Sequence, residues 1–115
     1  MIYTYNVTTL NLKGLMSTTK IGMLNDFLRR QDIDITLLQE VMHNDFDSFS
    51  GYVATVNEET TKRGTVVIVK EGLSIHNIKR LPSGRGIAGM FKDTWLINIY
   101  APSGAENTRA GSILY

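Results

Sequence analysis

The stretch Ile33-Asp34-Ile35-Thr36-Leu37-Leu38-Gln39-Glu40 decides the fold of this chain. Its apolar and β-branched residues follow one another almost without interruption, and this pattern predicts a strand over residues 33–38 that is buried on both faces. Glu40 would then lie just past the carboxyl end of that strand. In open α/β sheets ligands bind outside these strand ends, where a carboxylate can bind a hard cation such as Mg²⁺ through oxygen. The alternative, from this strand alone, is a terminal glutamate that points into water.

The sequence before this stretch predicts a β-α-β unit. Residues 2–12 are rich in β-branched and aromatic side chains and form the first predicted strand, which ends at the turn-forming pair Lys13-Gly14. The Ser17-Thr18-Thr19 segment can cap the N-terminus of a helix that Gln31-Asp32 closes. One face of this helix carries the apolar residues Ile21, Leu24, Phe27 and Leu28. A crossover of this length suits parallel pairing, so the end of the first strand and Glu40 should be neighbours in space.

Short strand patterns separated by turns follow Glu40 along the rest of the chain. We predict strands over residues 51–56, 64–70, 73–81, 85–91 and 94–100, with a charged turn over residues 57–63. Residues 105–115 begin like a helix. Six or seven strands with one main helix, running β-α-β and then antiparallel, predict an α/β fold. The expected architecture is a layered α/β sandwich with a mixed sheet.

The composition excludes several classes of protein. The 115 residues include no cysteine, which excludes disulfides and thiolate metal sites, and the net charge of +1 gives no overall signature of nucleic-acid binding. His43 and His76 are far apart, so a zinc site is not expected. No apolar run is long enough to cross a membrane, and no N-terminal signal peptide is recognisable. We therefore expect an intracellular protein with no membrane partner.

Four short motifs occur in order along the chain. They are Thr9-Leu10-Asn11-Leu12-Lys13-Gly14-Leu15, Leu37-Leu38-Gln39-Glu40, Arg63-Gly64-Thr65-Val66-Val67-Ile68-Val69 and Ile97-Asn98-Ile99-Tyr100-Ala101-Pro102-Ser103. In this order the motifs resemble the first half of the endonuclease/exonuclease/phosphatase superfamily. They are similar in particular to the apurinic-type endonuclease domain of LINE-type, non-LTR retrotransposons. The resemblance covers essentially the whole chain and implies the N-terminal half of a DNase I-like sandwich.

The resemblance also implies roles for individual residues. It implies that Asn11 arranges the phosphate and the catalytic water, that Glu40 binds Mg²⁺ or in its place Mn²⁺, and that Tyr100 contacts the scissile phosphate. These groups suit their roles, because a carboxylate supplies a metal ligand, an amide both donates and accepts, and a phenol donates to an anionic oxygen. The basic side chains expected to contact the DNA backbone are Lys13, Arg63 and Arg85. Taken singly, Asn11 also suits a plain turn, Tyr100 a strand end and the basic residues a solvated surface.

Part of the family's active site is missing from this sequence. No Gly-Asp-x-Asn motif follows Tyr100 and no Ser-Asp-His motif is present, although relatives take a general base and further metal ligands from these motifs. We therefore interpret residues 1–115 as a partial domain, truncated on its C-terminal side. The absent half would supply the second sheet, so the first sheet should keep an uncovered apolar face. Because a second copy of the chain can bury such a face, self-association through it is an expected interaction.

The resulting hypothesis is a fragment of an Mg²⁺-dependent DNA endonuclease of retrotransposon type, with little or no activity and only weak DNA binding of its own. Two alternatives stay open. One is a phosphoesterase of the same superfamily that acts on small phosphoesters, and the other is a non-catalytic remnant. Nuclear localisation is implied by the resemblance alone, because no basic run in the sequence is convincing as a localisation signal.

Overall fold

Seven strands and one α-helix make up the part of the chain that the structure, a computed structural model, describes: residues 4–15, 18–42, 49–57 and 64–100. The first elements are β1 (Val7–Leu15), α1 (Thr18–Arg30) and β2 (Ile35–Met42). They are followed by β3 (Tyr52–Asn57), β4 (Gly64–Lys70), β5 (His76–Arg80), a single 3₁₀ turn (Pro82–Gly84), β6 (Gly86–Phe91) and β7 (Thr94–Ile99). The predicted α/β class and the order of elements are confirmed.

The strands form two sheets. Sheet A has the order β1-β2-β4-β3, with β1 parallel to β2 and the other neighbours antiparallel, so it is the predicted mixed sheet. Sheet B is antiparallel throughout and has the order β5-β6-β7. Parallel pairing of β1 with β2 confirms the predicted β-α-β unit and brings the carboxyl ends of both strands to one edge of sheet A.

Helix α1 packs on one face of sheet A through a narrow apolar stripe. Ile21, Leu24 and Leu28 are buried there against residues of β2 and β4. Phe27, predicted on the same face, is instead 45% exposed, because at about 100° per residue it lies at the margin of the stripe. Asn25 is buried in its place, and its side chain donates to the backbone oxygen of Ser50 over 3.3 Å. No helix in the described part of the chain has the length and apolar character that a membrane crossing requires.

Sheet B covers the other face of sheet A, which corrects the expectation that this face would stay open. Ile35, Val67 and Val69 of sheet A are buried in one cluster with Ile87 and Phe91 of sheet B. The chain therefore supplies the first strands of the second layer itself.

An uncovered apolar surface does exist, but it belongs to sheet B. Trp95, Ile97 and Ile99 alternate along β7 on the face away from sheet A and are 45%, 59% and 44% exposed. Strand β7 is also an outermost strand of sheet B, since β6 is its one neighbour among the described strands. We call Trp95, Ile97 and Ile99 the outer face of β7.

Polar side chains of sheet A hold the segment before β6. The Asn57 side chain donates to the backbone oxygens of Leu81 and Gly86 over 2.9 and 2.7 Å. The Thr65 hydroxyl donates to the backbone oxygen of Gly84 over 3.1 Å. These bonds fix the loop between β5 and β6 on sheet A and with it one end of sheet B.

Candidate active site

Glu40 lies within a β-bulge rather than past the end of a strand. Strand β2 pairs with β4 at Leu38↔Val66 and again at Val41↔Gly64, so β2 carries one residue more than its partner between these pairs. Pairing resumes after the bulge, and for this reason β2 extends beyond Glu40, past the predicted end at residue 38. The Glu40 side chain remains at the carboxyl end of the regular part of the strand.

The backbone of Glu40 is left-handed, with φ of +55°, and the residue is only 9% exposed. This conformation is unfavourable for a residue with a Cβ atom, and buried carboxylates are costly unless something compensates them. Strained residues persist only where the surrounding structure determines them, and they concentrate at functional sites. Glu40 thus combines a left-handed backbone with a nearly buried carboxylate.

Asn11 lies at the same edge of sheet A. Strand β1 pairs with β2 at Asn11↔Gln39 and then at Gly14↔Val41, so β1 also carries an extra residue at this level. The Asn11 side chain is exposed. The irregularities of both strands thus coincide, and they place an exposed amide one residue pair away from the buried Glu40.

Tyr100 follows β7 and is half-buried. Its backbone N–H donates to the oxygen of Arg85 over 2.9 Å, so the exposed Arg85 is its direct neighbour. Two residues earlier, the Asn98 side chain contacts Leu38 and Gln39. The end of β7 therefore lies beside the Glu40 bulge, and three of the predicted site residues, Asn11, Glu40 and Tyr100, come from elements that meet at one edge.

A buried amide bridge joins the two sheets at this edge. Asn98, only 1% exposed, donates to the backbone oxygens of Leu38 and Val66, both over 3.0 Å. Its own side-chain oxygen accepts from Gln39 Nε2 over 2.7 Å, and Gln39 Nε2 also lies 2.9 Å from the Thr9 hydroxyl. Every polar atom of the Asn98 side chain is thus bonded inside the sandwich. We call this pair of side chains the Gln39–Asn98 bridge.

Gln39 and Asn98 both belong to the four sequence motifs, but neither was predicted to have a role. The available signal was Asn98 itself, a polar residue within the apolar run Leu96-Ile97-Asn98-Ile99. A buried amide in such a run must find partners. Sequence alone did not show that its partners are backbone atoms of β2 and β4.

Two of the basic residues expected to contact DNA, Lys13 and Arg63, and the two histidines complete the residues considered in the sequence. Lys13 belongs to β1, but its side chain lies outside the described residues, as do Arg63 and His43. His76 is exposed on β5 and pairs with Met90, near the opposite end of sheet B from Tyr100. His76 therefore lies away from the candidate site.

Glu40 is the candidate ligand for a divalent cation at this edge. Within the described residues there is no group of three or more histidine, cysteine, aspartate or glutamate side chains that could hold a metal. One buried carboxylate, Glu40, is present. Mg²⁺ is commonly bound in proteins by one or two carboxylates together with waters and substrate phosphates. Glu40 can thus serve as one protein ligand of such an ion.

The opposite end of sheet A carries an ionic cluster of a different kind. Lys70 Nζ bonds to the Asp32 carboxylate and lies 3.4 Å from that of Asp34. The hydrogen bond to Asp32 is the main reason why the pKa of Lys70 is raised. Burial raises the pKa of Tyr52, whose hydroxyl donates to the Ile33 oxygen over 3.0 Å. We interpret this cluster as structural, because each of its groups is paired within it.

The fold is that of about one half of a DNase I-like α/β sandwich. Similar solved structures are a 3′ phosphatase, NExo from Neisseria bound to product DNA hairpin (TM-score 0.70, 18% identity), and an AP endonuclease from Archaeoglobus fulgidus (0.67, 18%). A third is a 3′-5′ exonuclease, NExo from Neisseria meningitidis (0.68, 19%). The likeness covers 96%, 93% and 93% of this chain but only 48%, 46% and 47% of those chains. No family model and no curated sequence matches the chain.

Proposed function

We propose that this chain is the first half of a metal-dependent phosphodiesterase domain of the endonuclease/exonuclease/phosphatase type that acts on DNA. The observation that carries the proposal is Glu40, a buried carboxylate in a left-handed bulge at the edge where Asn11 and the end of β7 meet. The fold gives further support, since the similar structures include an AP endonuclease, an exonuclease and a phosphatase bound to product DNA.

Each side chain at this edge would have a different role, which follows from its chemistry. Glu40 would hold the cation through a carboxylate oxygen, and the Asn11 amide would orient a water molecule or a phosphate oxygen by donating and accepting at once. The Tyr100 hydroxyl would donate to a phosphate oxygen. A bound Mg²⁺ would stabilise the charge on the phosphate and on the leaving oxygen. Arg85, beside Tyr100, together with Lys13 and Arg63, would contact the DNA backbone electrostatically.

The retrotransposon type of this nuclease rests on the order of the four sequence motifs. The general base would come from a part of the domain that these 115 residues do not contain, since neither a Gly-Asp-x-Asn nor a Ser-Asp-His motif is present. Catalytic residues act as a unit, and removal of one can cost as much as removal of all. We therefore expect the chain by itself to show little or no nuclease activity.

Metal binding is the direct test of this proposal. Calorimetry and Mn²⁺ electron paramagnetic resonance should detect one weak site in the wild type that Glu40→Gln removes. Glu71→Gln is the matched control, because Glu71 is exposed in the turn after β4 and should not affect the site. Absence of binding in the wild type would refute the proposed metal site and favour a non-catalytic remnant.

DNA and phosphoester assays separate the functional alternatives. Fluorescence anisotropy should show weak, salt-sensitive binding to duplex DNA that decreases in Arg85→Ala. Arg30→Ala, at the exposed end of α1, should not weaken binding. Mg²⁺-dependent nicking of plasmid DNA that Glu40→Gln abolishes would contradict the expected inactivity. Hydrolysis of a small phosphoester without effect on DNA would favour the phosphatase alternative.

The outer face of β7 is the surface through which we expect the purified chain to self-associate. An edge strand with unpaired backbone groups and exposed apolar residues is a template for pairing with a second copy. Sedimentation velocity should show dimers that Ile97→Lys disrupts, whereas Met23→Lys on the exposed side of α1, where Met23 is 67% exposed, should leave them intact. A monomer at high concentration would refute this expectation.

A further inference from the structure

The Gln39–Asn98 bridge contacts sheet A at the point where its hydrogen-bonded ladder is interrupted. Leu38↔Val66 is the last regular pair of β2 and β4 before the bulge, and Asn98 Nδ2 donates to the backbone oxygens of both residues. Both oxygens belong to the residue pair at which the bulge begins. The bridge therefore bonds the backbone of sheet A directly beside the Glu40 bulge.

We propose that Asn98, oriented by Gln39, is a positioning residue that holds the Glu40 bulge in its left-handed conformation and so presents the carboxylate to a divalent cation. This inference rests on the proposed metal site for its functional part. Its structural part stands on the bonds of the bridge and on the φ of Glu40 alone.

The geometry explains why an amide is needed at this position. Asn98 uses both N–H groups for the two backbone oxygens and its oxygen for Gln39. An aspartate has no such donors and a leucine has no polar atoms, so either would leave the oxygens of Leu38 and Val66 without these partners inside the core. The bulge would then lose the bonds that tie it to sheet B, and Glu40 would leave its left-handed conformation.

The test compares Asn98→Leu with a matched control that loses a similar bond elsewhere. Tyr52→Phe removes one side-chain donor to a backbone oxygen at the far end of sheet A. Both variants should be less stable than the wild type. Asn98→Leu should also weaken Mn²⁺ binding by about 10- to 100-fold, the usual effect of losing a residue that orients a metal ligand. Tyr52→Phe should leave the affinity within about twofold of the wild type when both proteins are folded.

Nuclear magnetic resonance gives a readout that does not need the metal. The coupling between the amide and α protons of Glu40, with its α-carbon shift, reports φ directly. The left-handed values should persist in Tyr52→Phe and change to extended values in Asn98→Leu. Left-handed values in folded Asn98→Leu would overturn the proposal, whether or not the protein binds metal.

A second variant keeps the proposal testable if Asn98→Leu does not fold. Gln39→Met keeps the two bonds from Asn98 to the backbone but removes the donor that orients its amide. Mn²⁺ affinity should fall several-fold, and the Glu40 signals should show exchange between two conformations. Unchanged affinity and unchanged signals would overturn the role of the bridge. If the wild type binds no Mn²⁺, the proposed function fails, and the resonance data still decide the structural part.

Discussion

Replacement of Glu40 by glycine should give a more stable protein than replacement by alanine, opposite to the usual order. Both changes remove the carboxylate, so its interactions cancel in the comparison and only the backbone differs. At φ of +55° a residue with a Cβ atom costs about 1–2 kcal/mol. Glycine avoids this cost but loses about 0.4–1 kcal/mol through the greater freedom of the unfolded chain. The free energy of unfolding of Glu40→Gly should therefore exceed that of Glu40→Ala by about 0.8 kcal/mol.

Val53 provides the reference pair. It lies on β3, is 54% exposed, and does not have a positive φ, so Val53→Gly should be less stable than Val53→Ala by about 0.5–1 kcal/mol. The stability of the glycine variant relative to the alanine variant should thus be higher at position 40 than at position 53 by about 1.5 kcal/mol. Urea denaturation can measure this difference in the free energy of unfolding. With a slope of about 2 kcal/mol/M, it corresponds to a difference of about 0.75 M in the midpoint urea concentration. If glycine is the worse residue at both sites, Glu40 is not strained and the argument for a determined bulge fails.

Three further changes test the fold. Leu28→Ala should lower the free energy of unfolding by about 2–5 kcal/mol in urea titrations, because Leu28 is fully buried between α1 and sheet A, whereas exposed Met23→Ala should change it by less than about 0.5 kcal/mol. Gly86→Ala should lower the melting temperature, because a Cβ atom there would lie 3.1 Å from the backbone oxygen of Asn98; an unchanged melt would contradict this close packing. The pKa of Lys70 is raised in the folded state, so its ion pair stabilises the protein fully at pH values below the ordinary pKa of 10.5. This stabilisation is lost as the pH rises through the pKa that Lys70 has in the folded protein. Urea titrations at pH 8 and pH 11 should therefore show a larger loss for the wild type than for Lys70→Met, and equal losses would refute the ion pair.

The strands and the helix were predictable because their patterns are local. Strand β4 (Gly64–Lys70) matches the predicted bounds, since an apolar run that is buried on both faces leaves little choice. Helix α1 ends at Arg30, directly before the pair Gln31-Asp32 that was predicted to close it, and the basic residues of its last turn suit the helix terminus. The parallel pairing that brings Asn11 and Glu40 to one edge followed from the length of the crossover.

The bulge and the orientation of β7 were not predictable in the same way. Left-handed residues are usually marked by glycine or asparagine, and a glutamate at this position carries no such signal. Along β7, the strongly apolar residues Trp95, Ile97 and Ile99 face outward, while Asn98 faces the core. From alternation alone, Trp95, Ile97 and Ile99 would be predicted to face the core. That prediction would be wrong, because the bridge and the covering of sheet A are tertiary features that a single strand does not encode.

The bridge also determines when the candidate site can exist during folding. Its two amides are 59 residues apart in sequence, and Asn98 and Leu38 are 60 apart. Contacts between such distant residues form late, since the intervening chain must first lose its freedom. The unit of β1, α1 and β2 can assemble early from neighbouring segments, whereas the edge at Glu40 is completed only when the last described strand docks. On partial unfolding the same edge should open first, so that metal affinity would disappear before most of the helix does.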